Sequence, residues 1–226
     1  MRSASKPRYH HGDLEQALVD EAVRQIRERG VDQVSLRGLA QAVGVSPSAA
    51  YQHFPDKAAL MVAVCAAEGA ELAARMQAAV DEVPAEGDTG AIGRFLAVGR
   101  AYVTFAQSEP HLFRHMFGPS GAQDSPYAEG HDHPDGDDAY GILLARLAEL
   151  AERGLLRPGV GDDPALDVLA WSLVHGFSSL MVEGHLPLEA GEPVIALFGR
   201  LVLTDSGFAT FAAALEAQRG EQPVGR

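Results

Sequence analysis

Apolar residues recur every three or four positions along nearly the whole chain, which is the spacing of amphipathic helices. Leu14, Leu18 and Ala22 form the first such stripe, and Gly30 follows at a helix-ending position. The same spacing returns in later segments, at about 92–106, 110–117, 139–153, 163–183, 191–204 and 206–218. No segment alternates as a half-buried strand would, and no internal repeat is present. The sequence therefore predicts an all-α fold.

Two short helices joined by Gly44-Val45-Ser46 are predicted within residues 35–54. Ser35 is placed to cap the first helix and Ser46 the second, with Pro47 in the favoured first turn. Gly44 tolerates the positive φ that a tight turn needs, and the small Ala40 allows close approach of the two helices. This pattern predicts a helix-turn-helix whose second helix enters the major groove of DNA. An ordinary helical hairpin is the alternative.

The charge distribution permits DNA binding although the net charge is −13. Residues 1–60 hold eight Lys and Arg against seven Asp and Glu, whereas residues 61–226 hold ten against twenty-four. Residues 1–12 carry Arg2, Lys6 and Arg8 and no acidic residue. Phosphate contact depends on local rather than net charge, so a basic arm on an acidic body is compatible with DNA as a partner. A merely solvated basic terminus is the alternative.

About sixty N-terminal residues carry a recognisable pattern, formed by Gly12 to Gly30, Ser35-Leu36-Arg37-Gly38-Leu39-Ala40, Gly44-Val45-Ser46 and Tyr51-Gln52-His53-Phe54-Pro55-Asp56-Lys57-Ala58-Ala59-Leu60. This pattern resembles the DNA-binding domain of the TetR family. The later segment Trp171-Ser172-Leu173-Val174-His175-Gly176 resembles the branch whose C-terminal domain is named WHG for its Trp, His and Gly. The resemblance implies a three-helix DNA-binding domain at 10–70 and a larger helical ligand-sensing and dimerisation domain at 71–220. It also implies a homodimer, a palindromic double-stranded DNA operator, and release by a small-molecule effector.

Carried over position by position, the resemblance implies a set of DNA-contacting residues. Ser35 and Arg37 correspond to phosphate-contacting positions. The residues at positions that clamp the DNA backbone, called backbone clamps below, are Tyr51, His53 and Lys57. The base-facing positions are Ser46, Pro47, Ser48 and Ala49. Gln52 stands where many members carry an aromatic residue or Arg, and a glutamine could instead read adenine.

Segments after residue 71 contain the aromatic and soft side chains that line ligand pockets between helices. The candidate ligand-binding residues are Phe95, Tyr102, Phe105, Phe113, Phe117, Trp171, His175, Phe177 and Met181. Core packing is the alternative for each of them. His175 lies on an apolar helix face, where a histidine is more often a hydrogen-bonded core residue. Generic aromatic residues do not indicate the chemistry of the effector.

The chain carries no recognised signature of an enzyme. It lacks a phosphate-binding glycine loop, a Gly-x-Ser-x-Gly elbow and a His-Glu-x-x-His motif. The single cysteine, Cys65, excludes a disulfide framework and a thiolate zinc site, and a reduced, cytoplasmic setting is expected. No cofactor is expected, and no apolar run reaches the roughly 18 residues of a membrane span.

Two groups of histidines are candidate metal ligands. His111 and His115 share a helix face but lack a third, acidic ligand nearby in the sequence. The segment His131-Asp132-His133 falls in a loop predicted at 118–138, where Gly, Pro, Asp and His predominate. Neither group predicts a metal site.

The helices predicted at 163–183 and 191–204 are apolar on more than one face. Their apolar residues include Val168, Leu169, Leu173, Leu180, Val194, Ile195, Leu197, Phe198, Leu201 and Val202. A surface helix needs one apolar stripe, so a second stripe predicts a second buried contact, here a two-fold four-helix dimer interface. Core packing alone is the alternative.

The predicted function is a ligand-responsive DNA-binding regulator, most often a repressor in this family. An activator or dual regulator on the same scaffold is the alternative.

Overall fold

The computed structural model describes residues 11–84, 86–118 and 137–221. Within these ranges ten α-helices follow one another: α1 His11–Arg29, α2 Leu36–Val43, α3 Pro47–His53, α4 Lys57–Asp81, α5 Gly87–Ser108, α6 Pro110–Phe117, α7 Ala139–Glu152, α8 Ala165–Val182, α9 Gly191–Val202 and α10 Asp205–Glu221. Short 3-10 turns span Val31–Gln33 and Leu188–Ala190. The described residues contain no strand beyond an isolated bridge between Leu156 and Leu203, and the all-α prediction is confirmed. The basic arm up to His10, most of the predicted loop and the segment His131-Asp132-His133 lie outside the described residues.

Side-chain caps fix the ends of the helices that form the helix-turn-helix. The Ser35 Oγ accepts a hydrogen bond from the Gly38 amide at 3.2 Å, and the Ser46 Oγ accepts one from the Ala49 amide at 3.2 Å. Gly44 ends α2 in the left-handed region, with φ at 82°. Because the first amides of a helix lack backbone partners, these oxygens satisfy donors that would otherwise be unpaired. The caps predicted at Ser35 and Ser46 are present.

The first compact unit contains the residues up to Gly69 together with α6. Its core is formed by apolar side chains of α1 to α4, which are Leu18, Ala22, Ile26, Leu39, Ala40, Ala50, Leu60 and Val64. α6 packs on α1, burying Leu112, Phe113 and Met116. An ion pair of 2.7 Å between Arg27 Nε and Glu109 Oε2 joins α1 to the residue before α6. The sequence pattern gave α6 one buried face but did not indicate that α1 would cover it.

His115 and Glu68 form a buried pair between α6 and α4. The His115 Nδ1 lies 3.0 Å from the Glu68 Oε2, and the two side chains are 1% and 0% exposed. Burial raises the pKa of the Glu68 carboxyl, and the hydrogen bond to His115 opposes that rise. The Glu68 Oε1 is buried without a hydrogen-bond partner among the described residues. No group of three side chains suited to a metal ion occurs in the described part of the chain.

The second compact unit contains the chain from Ala70 to Ser108 and the helices from α7 onward. α5 is its central helix and packs against α7, α8 and α10. Arg94, which is 8% exposed, forms an ion pair with Glu149 of α7 and donates to the Pro84 carbonyl at 3.1 Å. The hydrogen bond from Arg94 lowers the pKa of the Glu149 carboxyl. This pair fixes α5 and α7 at a polar edge of an otherwise apolar core.

Large apolar side chains remain exposed on α8 and α9. On α8 they are Val168, Leu169 and Leu180, and on α9 Val194, Leu197 and Leu201. By length and composition α8 is the one described helix that is apolar enough to cross a membrane. The next helix, α9, also exposes leucines, but with 12 residues it is too short to span a bilayer. Exposed apolar side chains on both helices are therefore typical of a contact with protein.

Candidate functional site

Most side chains of α3 are exposed. α3 buries only Ala50, while Ser46, Pro47, Ser48 and Gln52 are exposed and Ala49 is half-buried. Tyr51 is 50% exposed. Small side chains at the start of a recognition helix allow close approach to base edges, and an exposed amide side chain can pair with adenine. The arrangement predicted for residues 46–52 thus leaves these side chains accessible to a ligand as large as DNA.

Ser35 and Arg37, the predicted phosphate contacts, lie exposed at the start of α2. The Ser35 oxygen already caps α2 by accepting from Gly38. Its hydroxyl hydrogen is still able to donate, because a hydroxyl group carries one donor and two acceptor sites. Capping and phosphate contact are therefore compatible at Ser35.

Two predicted backbone clamps are turned further inward than the sequence suggested. The His53 side chain is 11% exposed, with its Nδ1 3.6 Å from Glu15 Oε2 on α1. The Lys57 Nζ donates to the Val31 carbonyl at 2.8 Å. This hydrogen bond joins the start of α4 to the 3-10 turn that follows α1. Lys57 thus serves the packing of the first unit, and two of its three ammonium N–H donors are left for another acceptor.

A cavity of about 490 Å³ lies in the second unit, bounded mainly by α5, α8 and the start of α9. Five aromatic rings line it, those of Phe95, Tyr102, Trp171, Phe177 and Phe198. Its charged lining residues are Arg100, Glu189 and Glu192. The volume falls within the range of pockets that hold small organic ligands, and the mostly apolar lining is typical of them.

The predicted ligand-binding residues do not all line this cavity. Phe95, Tyr102, Trp171 and Phe177 line the cavity. Phe113 and Phe117 do not, because α6 belongs to the first unit, where the two rings pack on each other at 5.0 Å. Phe105 and Met181 are also absent from the lining. Phe105 is fully buried, with the Arg75 guanidinium 5.3 Å from its ring centroid.

Phe198 lines the cavity, whereas its sequence position predicts only that it lies on an apolar face of α9. Helical periodicity indicates that such a residue is buried but does not distinguish a core from a pocket wall. The stacking of Phe198 on Phe95, with ring centroids 6.1 Å apart, depends on residues distant in sequence. No local signal could have identified it.

His175 supports the cavity wall from behind. Its Nδ1 lies 2.9 Å from the Tyr102 hydroxyl, and its ring stacks parallel to Trp171 with centroids 6.5 Å apart. Burial lowers the pKa of His175, which favours the neutral imidazole. The histidine is absent from the lining, so the interpretation as a hydrogen-bonded core residue fits it better than a direct ligand contact.

Trp171 is held by rings on several sides. Tyr102 meets it edge-on at 5.2 Å and Tyr140 at 5.5 Å, while His175 stacks on it. The Tyr140 hydroxyl donates to Asp167 Oδ2 at 2.8 Å. Desolvation, with the Asp167 hydrogen bond, raises the pKa of Tyr140 to about 12. These contacts fix the indole in the cavity wall before any ligand binds.

Two family models match the chain. The model described as bacterial regulatory proteins, tetR family, matches residues 18–64. The model described as tetracyclin repressor-like, C-terminal domain, matches residues 95–204. Assignment to the WHG branch remains a prediction from the segment Trp171 to Gly176. No curated protein matches the chain in sequence.

Several solved structures share the fold. A protein with unknown function from Rhodococcus sp. RHA1 aligns with a TM-score of 0.67 and 28% identity, over 90% of this chain and 98% of its own. A TetR-family transcriptional regulator from Haemophilus influenzae aligns with a TM-score of 0.60 and 16% identity, over 87% and 100%. RolR in complex with resorcinol aligns with a TM-score of 0.59 and 15% identity, over 96% and 97%. With both family models matching in order on this fold, the chain belongs to the TetR family of DNA-binding transcriptional regulators and is a regulator rather than an enzyme.

Proposed function

We propose that this regulator is a ligand-released repressor that binds a palindromic DNA operator as a homodimer in the cytoplasm. The observation that carries the proposal is the exposed face of α3, where Ser46, Ser48 and Gln52 are accessible beside the exposed Arg37 of α2. Exposed small and amide side chains suit base edges, and an exposed arginine suits phosphate. Occupation of a promoter by the bound protein would block transcription sterically.

The homodimer is supported by the apolar surface of α8 and α9. Val168, Leu197 and Leu201 are 58%, 58% and 61% exposed in the single chain. Exposed apolar side chains concentrated on two helices are typical of an interface, and a two-fold axis would pair this surface with its copy in a four-helix arrangement. A two-fold protein reads a palindrome because each half-site meets an identical reading head.

Release by a small molecule is supported by the cavity and by the continuity of α4. This helix begins at Lys57, shortly after α3, and its later residue Met76 lines the cavity. RolR, which has the same fold, has been solved with resorcinol bound. We propose that an effector in the cavity shifts α4 and so moves the two reading heads away from the spacing of the operator.

The proposal is tested by the salt dependence of DNA binding, followed by fluorescence anisotropy of labelled duplex DNA. Arg37→Gln removes a predicted phosphate contact and is expected to lower the slope of log affinity against log salt by about one. Arg29→Gln makes the same charge change in the first unit outside the predicted contact set and serves as the matched control. An unchanged slope for Arg37→Gln, or an equal change for the control, contradicts the proposed contact surface.

A further inference from the structure

We propose that the buried pair of Glu68 and His115 is a proton-binding site that holds α6 on the first unit, and that loss of one proton from it loosens α6 and weakens DNA binding. Neither residue lines the cavity, and both belong to the unit that carries α3. The proposal goes beyond the proposed function, because it needs no organic effector. Three observations carry it: the complete burial of the pair, an unpartnered carboxyl oxygen, and the dependence of α6 on packing.

Complete burial lets the pair carry a proton but disfavours a net charge. The Glu68 and His115 side chains are 0% and 1% exposed, and the Oε2 and Nδ1 atoms lie 3.0 Å apart. A protonated carboxyl that donates to a neutral imidazole carries no charge, and a carboxylate beside an imidazolium carries none in sum. Both arrangements hold the same number of protons. Loss of one proton leaves a buried net negative charge, which is costly away from water.

The second carboxyl oxygen of Glu68 favours the protonated form. Oε1 is buried and has no hydrogen-bond partner among the described residues. An ionised carboxylate spreads its charge over both oxygens, so an oxygen without a donor makes ionisation costly. A protonated carboxyl, in contrast, can donate its O–H from Oε2 to His115 and leave only a neutral carbonyl oxygen at Oε1. Burial raises the pKa of Glu68, in agreement with this geometry.

The charges around the pair do not replace the lost proton. Arg27 of α1 lowers the pKa of the Glu68 carboxyl, and Glu109, the residue before α6, raises it. Arg27 Nε and Glu109 Oε2 form an ion pair of 2.7 Å with each other, so their opposite effects on Glu68 largely cancel. Burial is a larger cause of the pKa shift than the hydrogen bond and charge of His115, which oppose it. The carboxyl therefore depends on its own proton.

α6 depends on packing for its order. It has eight residues, and a helix of that length is not stable in water without tertiary contacts. Its buried residues are Leu112, Phe113, His115 and Met116, so the pair lies within the face that holds the helix. When Glu68 ionises, opening of α6 admits water to the carboxylate. Loss of the proton and opening of α6 are therefore coupled.

Opening of α6 reaches the DNA-binding helices through α1. α6 packs on α1, and α1 packs on both α2 and α3. Without α6, part of the packing that fixes α1 is lost, so α2 and α3 are held less rigidly. A less preorganised surface binds its partner less tightly, because more conformational freedom is lost on binding.

Hydrogen exchange of the α6 amides in the full-length protein tests the first step. Mass spectrometry measures the exchange at each pH, and rates are divided by those of an unstructured peptide of the same sequence. In the opened state Glu68 has its ordinary pKa of 4.5. Protection of α6 in the wild type should therefore fall by up to about tenfold per pH unit from that value to the raised pKa.

Two charge-removing variants locate the effect. Glu68→Gln keeps the shape of a protonated carboxyl and should show no such fall. Glu71→Gln, at a carboxylate 50% exposed and one turn further along α4, is the matched control and should keep the wild-type fall. Constant protection in the wild type, or an equal fall in Glu68→Gln, overturns the proposal. A carbon-13 titration of the wild-type carboxyls covers a Glu68→Gln variant that does not fold, because a Glu68 resonance that titrates at 4.5 also overturns it.

The affinity for labelled duplex DNA tests the second step, followed by fluorescence anisotropy at fixed salt over the same pH range. The other ionisable groups are the same in both proteins, so the ratio of wild-type affinity to Glu68→Gln affinity isolates the effect of Glu68. This ratio should fall several-fold as pH rises, whereas the ratio of wild type to Glu71→Gln should stay constant. A constant ratio for Glu68→Gln overturns control of DNA binding by the pair and leaves the proposed function intact. Absence of DNA binding at every pH contradicts the proposed function as well.

Discussion

Removing two exposed leucines of α9 is expected to separate the proposed dimer. Leu197 and Leu201 are 58% and 61% exposed in the single chain. Full burial of a leucine side chain is worth about 1.5–3 kcal/mol, so covering the exposed part of each contributes roughly 1–2 kcal/mol. A two-fold interface contains each residue twice, so the double substitution Leu197→Ala and Leu201→Ala removes four contacts and about 4–8 kcal/mol. The dimer dissociation constant should rise by at least about three orders of magnitude.

Sedimentation equilibrium over nanomolar to micromolar protein concentrations measures that dissociation constant. Val62→Ala is the matched control, because Val62 is 45% exposed but belongs to α4 in the first unit and not to the proposed interface helices. Far-ultraviolet circular dichroism checks that the double variant keeps its helices. An unchanged dissociation constant in the double variant, or an equal loss in the Val62 control, would refute the reasoning. A wild-type protein that is monomeric at micromolar concentration would refute the interface itself.

Three other substitutions test the helix cap at Ser46, the buried carboxyl of Glu68 and base reading by Gln52. Ser46→Ala removes the oxygen that accepts from Ala49 and should lower the free energy of unfolding in urea by about 1 kcal/mol; an equal loss in Ser48→Ala, which removes an exposed hydroxyl outside the cap, contradicts this. Burial raises the pKa of the Glu68 carboxyl, so this carboxyl keeps its proton to higher pH in the native state than in the unfolded chain. The free energy of unfolding of the wild type should therefore fall as pH rises from about 4.5 through the raised pKa. Glu68→Gln should lack that fall when the free energy of unfolding is measured across pH at fixed protein concentration, and a persistent fall would assign it to other groups. Gln52→Ala should change the base preference obtained by selection from random DNA, and an identical consensus would exclude base readout by Gln52.

Helix bounds and caps could be predicted from the sequence because they depend on residues that are close together in the chain. The bounds of α6 at Pro110–Phe117 and the caps at Ser35 and Ser46 agree with the structure, because proline, glycine and short hydroxyl side chains act on their own turn of the chain. The sequence also indicated that α8 and α9 carry more apolar residues than one buried face needs, since two apolar stripes on one helix require two packing partners.

Contacts between residues that are distant in the chain could not be predicted from the sequence. His115 meets Glu68 from 47 positions away, and Arg94 meets Glu149 from 55. Periodicity identifies a buried face but not the helix that covers it, so Phe113 was assigned to a ligand pocket although α6 packs in the first unit. The orientation of Lys57 toward the Val31 carbonyl depends on the same kind of contact.

Selection of bound duplexes from a random DNA pool tests whether this protein binds a palindromic operator as a dimer. If a two-fold regulator reads bases with α3, we expect the enriched sequence to be an inverted repeat. Its half-site centres should be separated by about one helical turn of DNA or a multiple of it. Reprobing the enriched duplexes by anisotropy should give one dimer per site. A pool that shows no enriched sequence, or a single asymmetric site occupied by one copy of the chain, would contradict the account.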